Sequence, residues 1–594
     1  METPVPGAKI DVQGGRERLF KKEMQKGGES MSRQVRPKAI LAGLVAVAAF
    51  WAGTVRAADF PGVVQGVVKS ASGEALSGAY VKLYNADKRI TFMVISQDQG
   101  RYTASNLPPG KWTVQGIGNG YQSKFVPVDV AAGKPGSADV SLTDKQGLYV
   151  EHGWPGSPGT VGGNEVWYMT PQPTLAEGDG KRIVGTKCVQ CHELYRIVLQ
   201  RWTKEKWAEK VENMRERLRA DTSGKKYTEW TAEEAKIVVD YLAKNYSGEP
   251  GTANAKFDLN GRLSRTLLKG DAAKYVAMDF EIPIHDTEPH DLVIDPRGVA
   301  WTNYRQGCCF GKFDPKTYTF TQVEPPAGES YTWVGSPAVG HGDSIWAADG
   351  ARNRRWFQFD TKSEKFTIYS APRNLPGNVG GNTMYVHPDG KTVWSSNGNR
   401  ILGLNIASKE FTSYTLPSYE KTKKNAGSYG VAVSGDGKVW FAERDANLIG
   451  RLDPTTGKIE EFKVPGEDQL PKPGSVPRRM GADQEGNIWV GLHETGQLVK
   501  IDYKTTKMTV LDPPTKSSSP YSVVADTKRN WIWVSEQTAD KIARYDPKTN
   551  TWTEYSLPII ESDARRIETD PTNPNRIWWA GDTANHIGYI EILP

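Results

Sequence analysis

Gly430-Val431-Ala432-Val433-Ser434-Gly435-Asp436-Gly437-Lys438-Val439-Trp440-Phe441-Ala442-Glu443, followed by Ile449-Gly450-Arg451-Leu452-Asp453-Pro454-Thr455-Thr456-Gly457, is the clearest copy of an internal repeat. Apolar runs of strand length alternate in it with Gly/Asp/Ser and Asp-Pro turns. Trp301, Trp346, Trp394, Trp440, Trp489, Trp533 and Trp578 mark seven copies within residues 272–594, and six copies then reach Asp314, Asp360, Asn405, Asp453, Asp502 or Asp546. A period of about 40 to 50 residues is the sign of a propeller, and seven copies predict seven blades. Each copy ends in a short strand running into proline, as in Tyr414-Thr415-Leu416-Pro417, yet the last copy stops at Pro594 without one. Asp279-Phe280-Glu281-Ile282-Pro283, ahead of the first copy, has that pattern and is expected to complete the seventh blade. Such closure removes a free sheet edge and ties the two ends of the ring together.

Through Val439-Trp440-Phe441-Ala442-Glu443 and Ile449-Gly450-Arg451-Leu452-Asp453-Pro454 these repeats resemble the streptogramin (virginiamycin B) lyase type of seven-bladed propeller. The resemblance implies the fold. The family's histidine, glutamate and magnesium imply a C–O lyase, but no histidine matches beside Glu443 or Glu536, which occupy the blade motif. Propellers host many unrelated activities, so function has to be argued from the site.

Upstream of the propeller the periodicity turns helical, over 177–186, 203–219 and 231–245, with Thr231-Ala232-Glu233-Glu234 reading as an N-terminal cap. Cys188-Val189-Gln190-Cys191-His192 lies between the first two segments. Two thiols at this spacing can add to the two vinyl groups of a haem while the adjacent imidazole of His192 reaches the iron, the pattern of c-type haem attachment. A redox dithiol or half a zinc site explains neither the adjacent histidine nor the missing second cysteine pair. With Gly185 on the helix before the motif and Tyr241-Leu242 on the later one, residues 176–248 resemble a single-haem class I cytochrome c domain. Between Cys191 and Tyr246 the only histidine is His192 and the only methionine is Met214, so Met214 is the expected second axial ligand, with core packing as its ordinary alternative.

Further upstream, residues 60–145 alternate apolar and polar positions between Gly, Ser and Asn turns and predict a small β-sandwich. The order Gly66-Val67-Val68, Gly78-Ala79-Tyr80-Val81, Gly100-Arg101-Tyr102 and Leu107-Pro108-Pro109-Gly110 resembles the carboxypeptidase regulatory-like domain, which implies a spacing or interaction role. Residues 146–175 are Gly/Pro-rich and read as a linker. The expected fold class is multidomain and mainly β: a β-sandwich, a small all-α cytochrome c domain and a seven-bladed β-propeller.

Arg33, Arg36 and Lys38, the apolar run 39–53 and Val55-Arg56-Ala57 read as a secretory signal within an N-terminal segment 1–57, with a mature start near residue 58 and a periplasmic destination. The apolar run is shorter than the roughly 20 residues that span a bilayer, which leaves an uncleaved anchor as the lesser alternative, and no other segment is apolar enough. Residues 1–57 carry ten of the 75 basic and five of the 69 acidic residues, leaving a net charge of +1 on the rest. That balance, without a basic stripe, disfavours nucleic acid as a partner; a redox partner protein and a small-molecule substrate are expected instead.

Aligning the copies brings His290, Tyr429, Arg478, Tyr521 and Arg565 to one position on the strands that would line the channel, with Arg479 and Arg566 next in sequence. Asp349, Glu443 and Glu536 fall three positions after their tryptophans and His493 four after Trp489, at the same end. Together these could hold an anionic or phenolic substrate, or a metal on histidine and carboxylate ligands; singly, each reads more readily as a solvated or blade-bridging residue. Cys308 and Cys309 are adjacent and in an oxidising compartment could form a vicinal disulfide, with a structural role ahead of a redox or metal-binding one. The expected function is a haem c oxidoreductase or electron-transfer protein, with a lyase carrying an accessory cytochrome, or a non-catalytic binding propeller, as alternatives.

Overall fold

Each repeat tryptophan sits on the second strand of a four-stranded antiparallel blade and is almost fully buried. The structure is a computed structural model describing residues 60–146, 175–188, 197, 202–219, 230–247, 263–264 and 266–594, less 285–286, 305–307, 331, 351–352, 382, 466–475, 517, 527, 561 and 583. The expected signal segment, most of the linker, and Cys191 and His192 lie outside the described residues. The first strands of the seven blades are Pro289–Ile294, Ala338–Val339, Thr383–Val386, Ser428–Val433, Pro477–Ala482, Pro520–Ala525 and Ala564–Thr569. Each touches the next around a ring that closes from the seventh to the first.

The recurring Asp or Asn has a local cause. Asp314, Asp360, Asn405, Asp453, Asp502 and Asp546 stand where the third strand ends, and each side chain accepts the backbone N–H two residues on, at 2.8–3.0 Å. This Asx turn starts the hairpin to the fourth strand.

Blade 7 closes as expected, because Tyr275–Glu281 pairs antiparallel with His586–Ile592, from Tyr275 opposite Ile592 to Glu281 opposite His586. Its other edge is not free. Ile90–Ile95 of the N-terminal domain pairs with it, from Val276 opposite Val94 to Phe280 opposite Ile90. The N-terminal domain and blade 7 therefore share one ten-stranded sheet, a continuity absent from the sequence reading of separate domains. Ile90–Ile95 is buried at every position, as a strand covered on both faces must be. One apolar cluster runs from Val64, Leu83 and Trp112 to Phe280, Leu292 and Trp578, and a second joins Met93 and Ile95 to Ala277, Trp579 and Ile590. Tyr80 Oη meets Ser556 Oγ at 3.2 Å, and the Leu268 N–H donates to Gly78 O at 2.9 Å. Gly78 has φ +82°, and a Cβ there would lie 2.1 Å from Leu268 O, so this join admits no side chain.

The second N-terminal sheet pairs Gly62–Ser70 with Arg101–Leu107, Gly136–Ser137 and Val140–Leu142. Between this domain and the propeller the described residues form helices Lys181–Lys187, Lys204–Arg219 and Ala232–Tyr246, close to the three expected spans. The third begins in a complete capping box, with Thr231 Oγ1 accepting the Glu234 N–H at 3.0 Å and Glu234 Oε2 accepting the Thr231 N–H at 2.9 Å. Val184, Trp207, Val238 and Leu242 share one apolar cluster, and Lys187 bonds Glu234 at 2.7 Å. Among the described residues no helix is long and apolar enough to cross a membrane.

Candidate functional site at the propeller channel

Five blades begin with the same backbone device. Glu288, Gly427, Val476, Ser519 and Asp563 each have φ between +46° and +64° and immediately precede the first strands of blades 1, 4, 5, 6 and 7. In those blades the first-to-second strand register then shifts, between Pro289 and Leu292, Ser428 and Val431, Pro477 and Met480, Pro520 and Val523, and Ala564 and Arg566. Such a bulge inserts an unpaired residue and re-aims side chains that regular pleating would send to alternate faces. The sequence-aligned His290, Tyr429, Arg478, Tyr521 and Arg565 all fall in these bulges. Val476 is β-branched and left-handed, a conformation costing on the order of 1–3 kcal/mol. Its backbone is held on both sides, by Asn447 Oδ1 accepting its N–H at 2.9 Å and by its carbonyl accepting the His493 N–H at 3.2 Å. Blade 2 also steps register, between the Val334–Asp349 bridge and Ala338 opposite Trp346, and contributes the small Ser336; blade 3 pairs without a shift and contributes Thr383.

Asp291 is the hub, and the sequence reading missed it. It is wholly buried; its Oδ2 takes His290 Nδ1 at 2.8 Å and Ser336 Oγ at 2.5 Å, and its Oδ1 is paired with Arg479. Arg479 reaches across from blade 5 and also donates to Ser336 Oγ at 3.2 Å and Thr383 Oγ1 at 3.1 Å, tying blades 1, 2, 3 and 5 together. Burial works to raise the Asp291 carboxyl, but Arg479 and His290 outweigh it and hold it well below the usual range. His290 moves the other way, since burial outweighs the neighbouring Asp291 and Asp582 and lowers it, leaving a neutral imidazole at pH 7. With Asp291 on Nδ1, that nitrogen carries the hydrogen and Nε2 is the basic lone pair. Nε2 faces the hydroxyls of Tyr521 and Tyr429 at 3.3 and 3.5 Å, which are hydrogen-bonded to each other. Burial, followed by Tyr429, raises Tyr521 against three nearby arginines, so it is a neutral phenol that can donate.

The remaining candidates divide. Arg565 joins the channel, bonded to Asp563 at 3.2 Å and Asp582 at 3.1 Å, with its guanidinium 5.7 Å from the Tyr521 ring centre. Arg478 packs against the Tyr429 and Tyr521 rings at 5.6 and 5.3 Å. His493 lies beside Tyr521, ring centres 6.0 Å apart, and is bonded to Glu494 at 2.9 Å and Gln537 at 2.8 Å. Glu443 and Glu536 are not brought to His290. Ser418 donates to the first at 2.5 Å and Ser518 to the second at 2.8 Å, and burial, with Glu461 and Glu554 adding to it, pushes each carboxyl up to about 8. Asp349, equivalent in blade 2, is neutralised by Arg355 at 3.0 Å.

Cys308 and Cys309 are joined by a disulfide, the first exposed and the second buried. With Glu324 they form the one group of three or more close histidine, cysteine or carboxylate donors among the described residues, so no histidine-containing metal cluster occurs there.

In the helical segment, Cys188 is half-buried at the end of Lys181–Lys187 and packs on the apolar cluster, and Met214 is half-buried on Lys204–Arg219. The indole N–H groups of Trp207 and Trp230 and Nε of Arg215 are buried without an acceptor among the described residues. Orphaned donors beside an apolar cluster fit a flat apolar cofactor that carries carboxylates, as haem does.

Residues 63–143 match the carboxypeptidase regulatory-like domain and residues 328–593 the virginiamycin B lyase family, the latter excluding His290, Asp291 and both cysteines of the disulfide. Comparison with curated proteins gives no match. Similar solved structures include the selenomethionine-substituted virginiamycin B lyase from Staphylococcus aureus (21% identity, 54% of this chain, 100% of that one, TM-score 0.45). A streptogramin B lyase structure gives 21% identity, 55% and 100% coverage and a TM-score of 0.47. The hydrazine synthase of Kuenenia stuttgartiensis gives 13% identity, 51% and 96% coverage and a TM-score of 0.41. The chain thus combines a carboxypeptidase regulatory-like N-terminal domain with a virginiamycin B lyase-like β-propeller.

Proposed function

We propose that the bulged end of the propeller channel is a proton-abstracting site, with His290 as the base. One observation carries this reading: a buried imidazole held on Nδ1 by an ionised carboxylate while Nε2 faces two phenols. His290 takes a proton at Nε2, and Asp291, kept ionised by Arg479, stabilises the imidazolium. Tyr521 and Tyr429 form a hydroxyl pair that orients the reacting group and returns a proton.

The family match over 328–593 favours a lyase. In that reading His290, which lies ahead of the matched residues, removes the proton from carbon, the electron pair forms a C=C bond, and the neighbouring C–O bond breaks with the phenol pair protonating the departing oxygen. A second reading is an oxidoreductase, and Cys188, Cys191 and His192 with the orphaned donors of the helical segment favour it. In that reading Cys188 and Cys191 hold haem c, His192 and Met214 its iron, and the chain is a periplasmic electron carrier that passes electrons to a redox partner protein. A bound haem would supply single-electron transfer, so the two electrons of a hydroxyl-to-carbonyl oxidation would leave one at a time for the redox partner protein, with His290 taking the hydroxyl proton and the carbon-bound proton leaving to solvent.

Anaerobic incubation of the haem-loaded chain with candidate hydroxyl compounds tests both readings. Product with an unchanged oxidised haem spectrum marks elimination; haem reduction marks oxidation. In either case His290→Gln lowers the rate by about 10²–10⁴-fold. Turnover that ignores His290 removes the proposal.

A further inference from the structure

The channel arginines differ in what they face. Arg479 has Asp291, Arg565 has Asp563 and Asp582, and Arg566 has Glu568 at 3.1 Å. Arg478 is 7% exposed and has neither a hydrogen bond nor an ion pair among the described residues; its Nε is buried without an acceptor. Among the described residues its guanidinium packs against the rings of Tyr429 and Tyr521. A buried guanidinium without a counter-charge is costly, and ring faces repay only a part of it. The same Tyr521 whose ring packs against Arg478 places its hydroxyl 3.3 Å from His290 Nε2, so one phenol ring links the unmatched cation to the base.

We propose that Arg478 binds the carboxylate of the substrate, which makes the substrate class of this channel a hydroxycarboxylic acid. The carboxylate sits on the guanidinium fork, and the hydroxyl-bearing carbon lies along the tyrosine pair toward His290. The planar fork suits a carboxylate, which it can hold through two parallel N–H donors. Arg478, Arg479 and Arg565 against Asp291, Asp563 and Asp582 leave the channel neutral overall, so a monoanion on Arg478 adds one negative charge where a phosphate dianion adds two, and the smaller load favours the carboxylate. Aromatic walls on both sides favour compounds that add an apolar or aromatic surface to the acid.

This inference rests on the proton-abstraction reading for the role of the hydroxyl, but not for the binding of the acid. Its test is calorimetric titration and thermal unfolding of the full haem-loaded chain with lactate, mandelate and 4-hydroxybenzoate, their methyl esters, and inorganic phosphate. The acids are expected to bind and raise the unfolding midpoint, with the esters and phosphate at least about tenfold weaker. Arg478→Gln should lose the acids by about tenfold or more and unfold no earlier than the wild type without ligand, since it removes an unmatched buried charge. Arg478→Lys, which keeps the charge without the fork, should fall between. Equal binding of acid and ester, tighter binding of phosphate, no binding of any acid, or affinity indifferent to Arg478→Gln would each overturn the inference. Acids that bind through Arg478 but whose turnover ignores His290 would defeat the base and leave the subsite standing. Turnover of neutral hydroxyl compounds that needs His290 but not Arg478 would do the reverse.

Discussion

The join between the N-terminal domain and blade 7 and the bulged end of the channel are both buried, yet they are built by opposite rules. At the join, Ile90–Ile95, Tyr275–Glu281 and His586–Ile592 pair in unbroken register and bury an apolar surface. At the channel, five blades break register after a left-handed residue and fill the space with His290, Asp291, Arg478, Arg479, Tyr429, Tyr521 and Arg565. Regular pairing there would send successive side chains to opposite faces, whereas the bulge lets neighbours such as His290 and Asp291 meet in one network. The propeller thus spends backbone regularity only where it assembles polar groups.

If the two regions have separate roles, substitutions in them should separate activity from stability. The largest effect is expected from His290→Gln, with turnover down by about 10²–10⁴-fold and the unfolding midpoint nearly unchanged. Asp291→Ala should cost about 3–5 kcal/mol in denaturant unfolding, because it leaves Arg479 buried without its carboxylate, and Arg479→Met in the same chain should recover part of that stability but not the activity. At the join, Met93→Pro inserts a residue with no N–H into a strand paired on both sides and should cost about 3 kcal/mol, while the molecules that remain folded keep their turnover. Activity lost in proportion to stability in that variant would erase the contrast.

The smallest effects are pH-linked and have opposite signs. Glu443 and Glu536 are raised to about 8 in the folded chain, so their stability contribution is complete below the unfolded value near 4.5 and is lost as pH rises from there through about 8. Asp291 is depressed, so its contribution is present above about pH 4 and is lost as pH falls further. Glu443→Gln and Glu536→Gln should therefore flatten the alkaline side of the stability profile and leave the acid side unchanged. Unfolding midpoints measured between pH 2 and 9 check this.

The blades were legible because tryptophan and the Asx turn recur on a fixed period, and the closing strand because the last copy lacks one. Five channel positions were also legible by alignment. Asp291 was not, since it follows an aligned histidine and a regular strand would point it away; the bulge that turns it inward leaves only the weak sequence sign of a short Pro- or Ser-led start, as in Pro289, Ser428, Pro477 and Pro520. Glu443 and Glu536 misled for the opposite reason: they share the blade motif and the same end as the channel residues, but their bonds run to Ser418 of the short helix Pro417–Thr422 and to Ser518 of a loop. The shared ten-stranded sheet escaped because Ile90–Ile95 reads as an ordinary sandwich strand, and nothing local in a strand names its second partner.

The most direct test of the central claim needs no substrate. Histidine-selective NMR titration of the full chain, with His290→Gln to assign the resonance, should show His290 neutral at pH 7, protonated on Nδ1 and titrating below the ordinary histidine range. An imidazolium at pH 7, or a hydrogen on Nε2 instead of Nδ1, would contradict it.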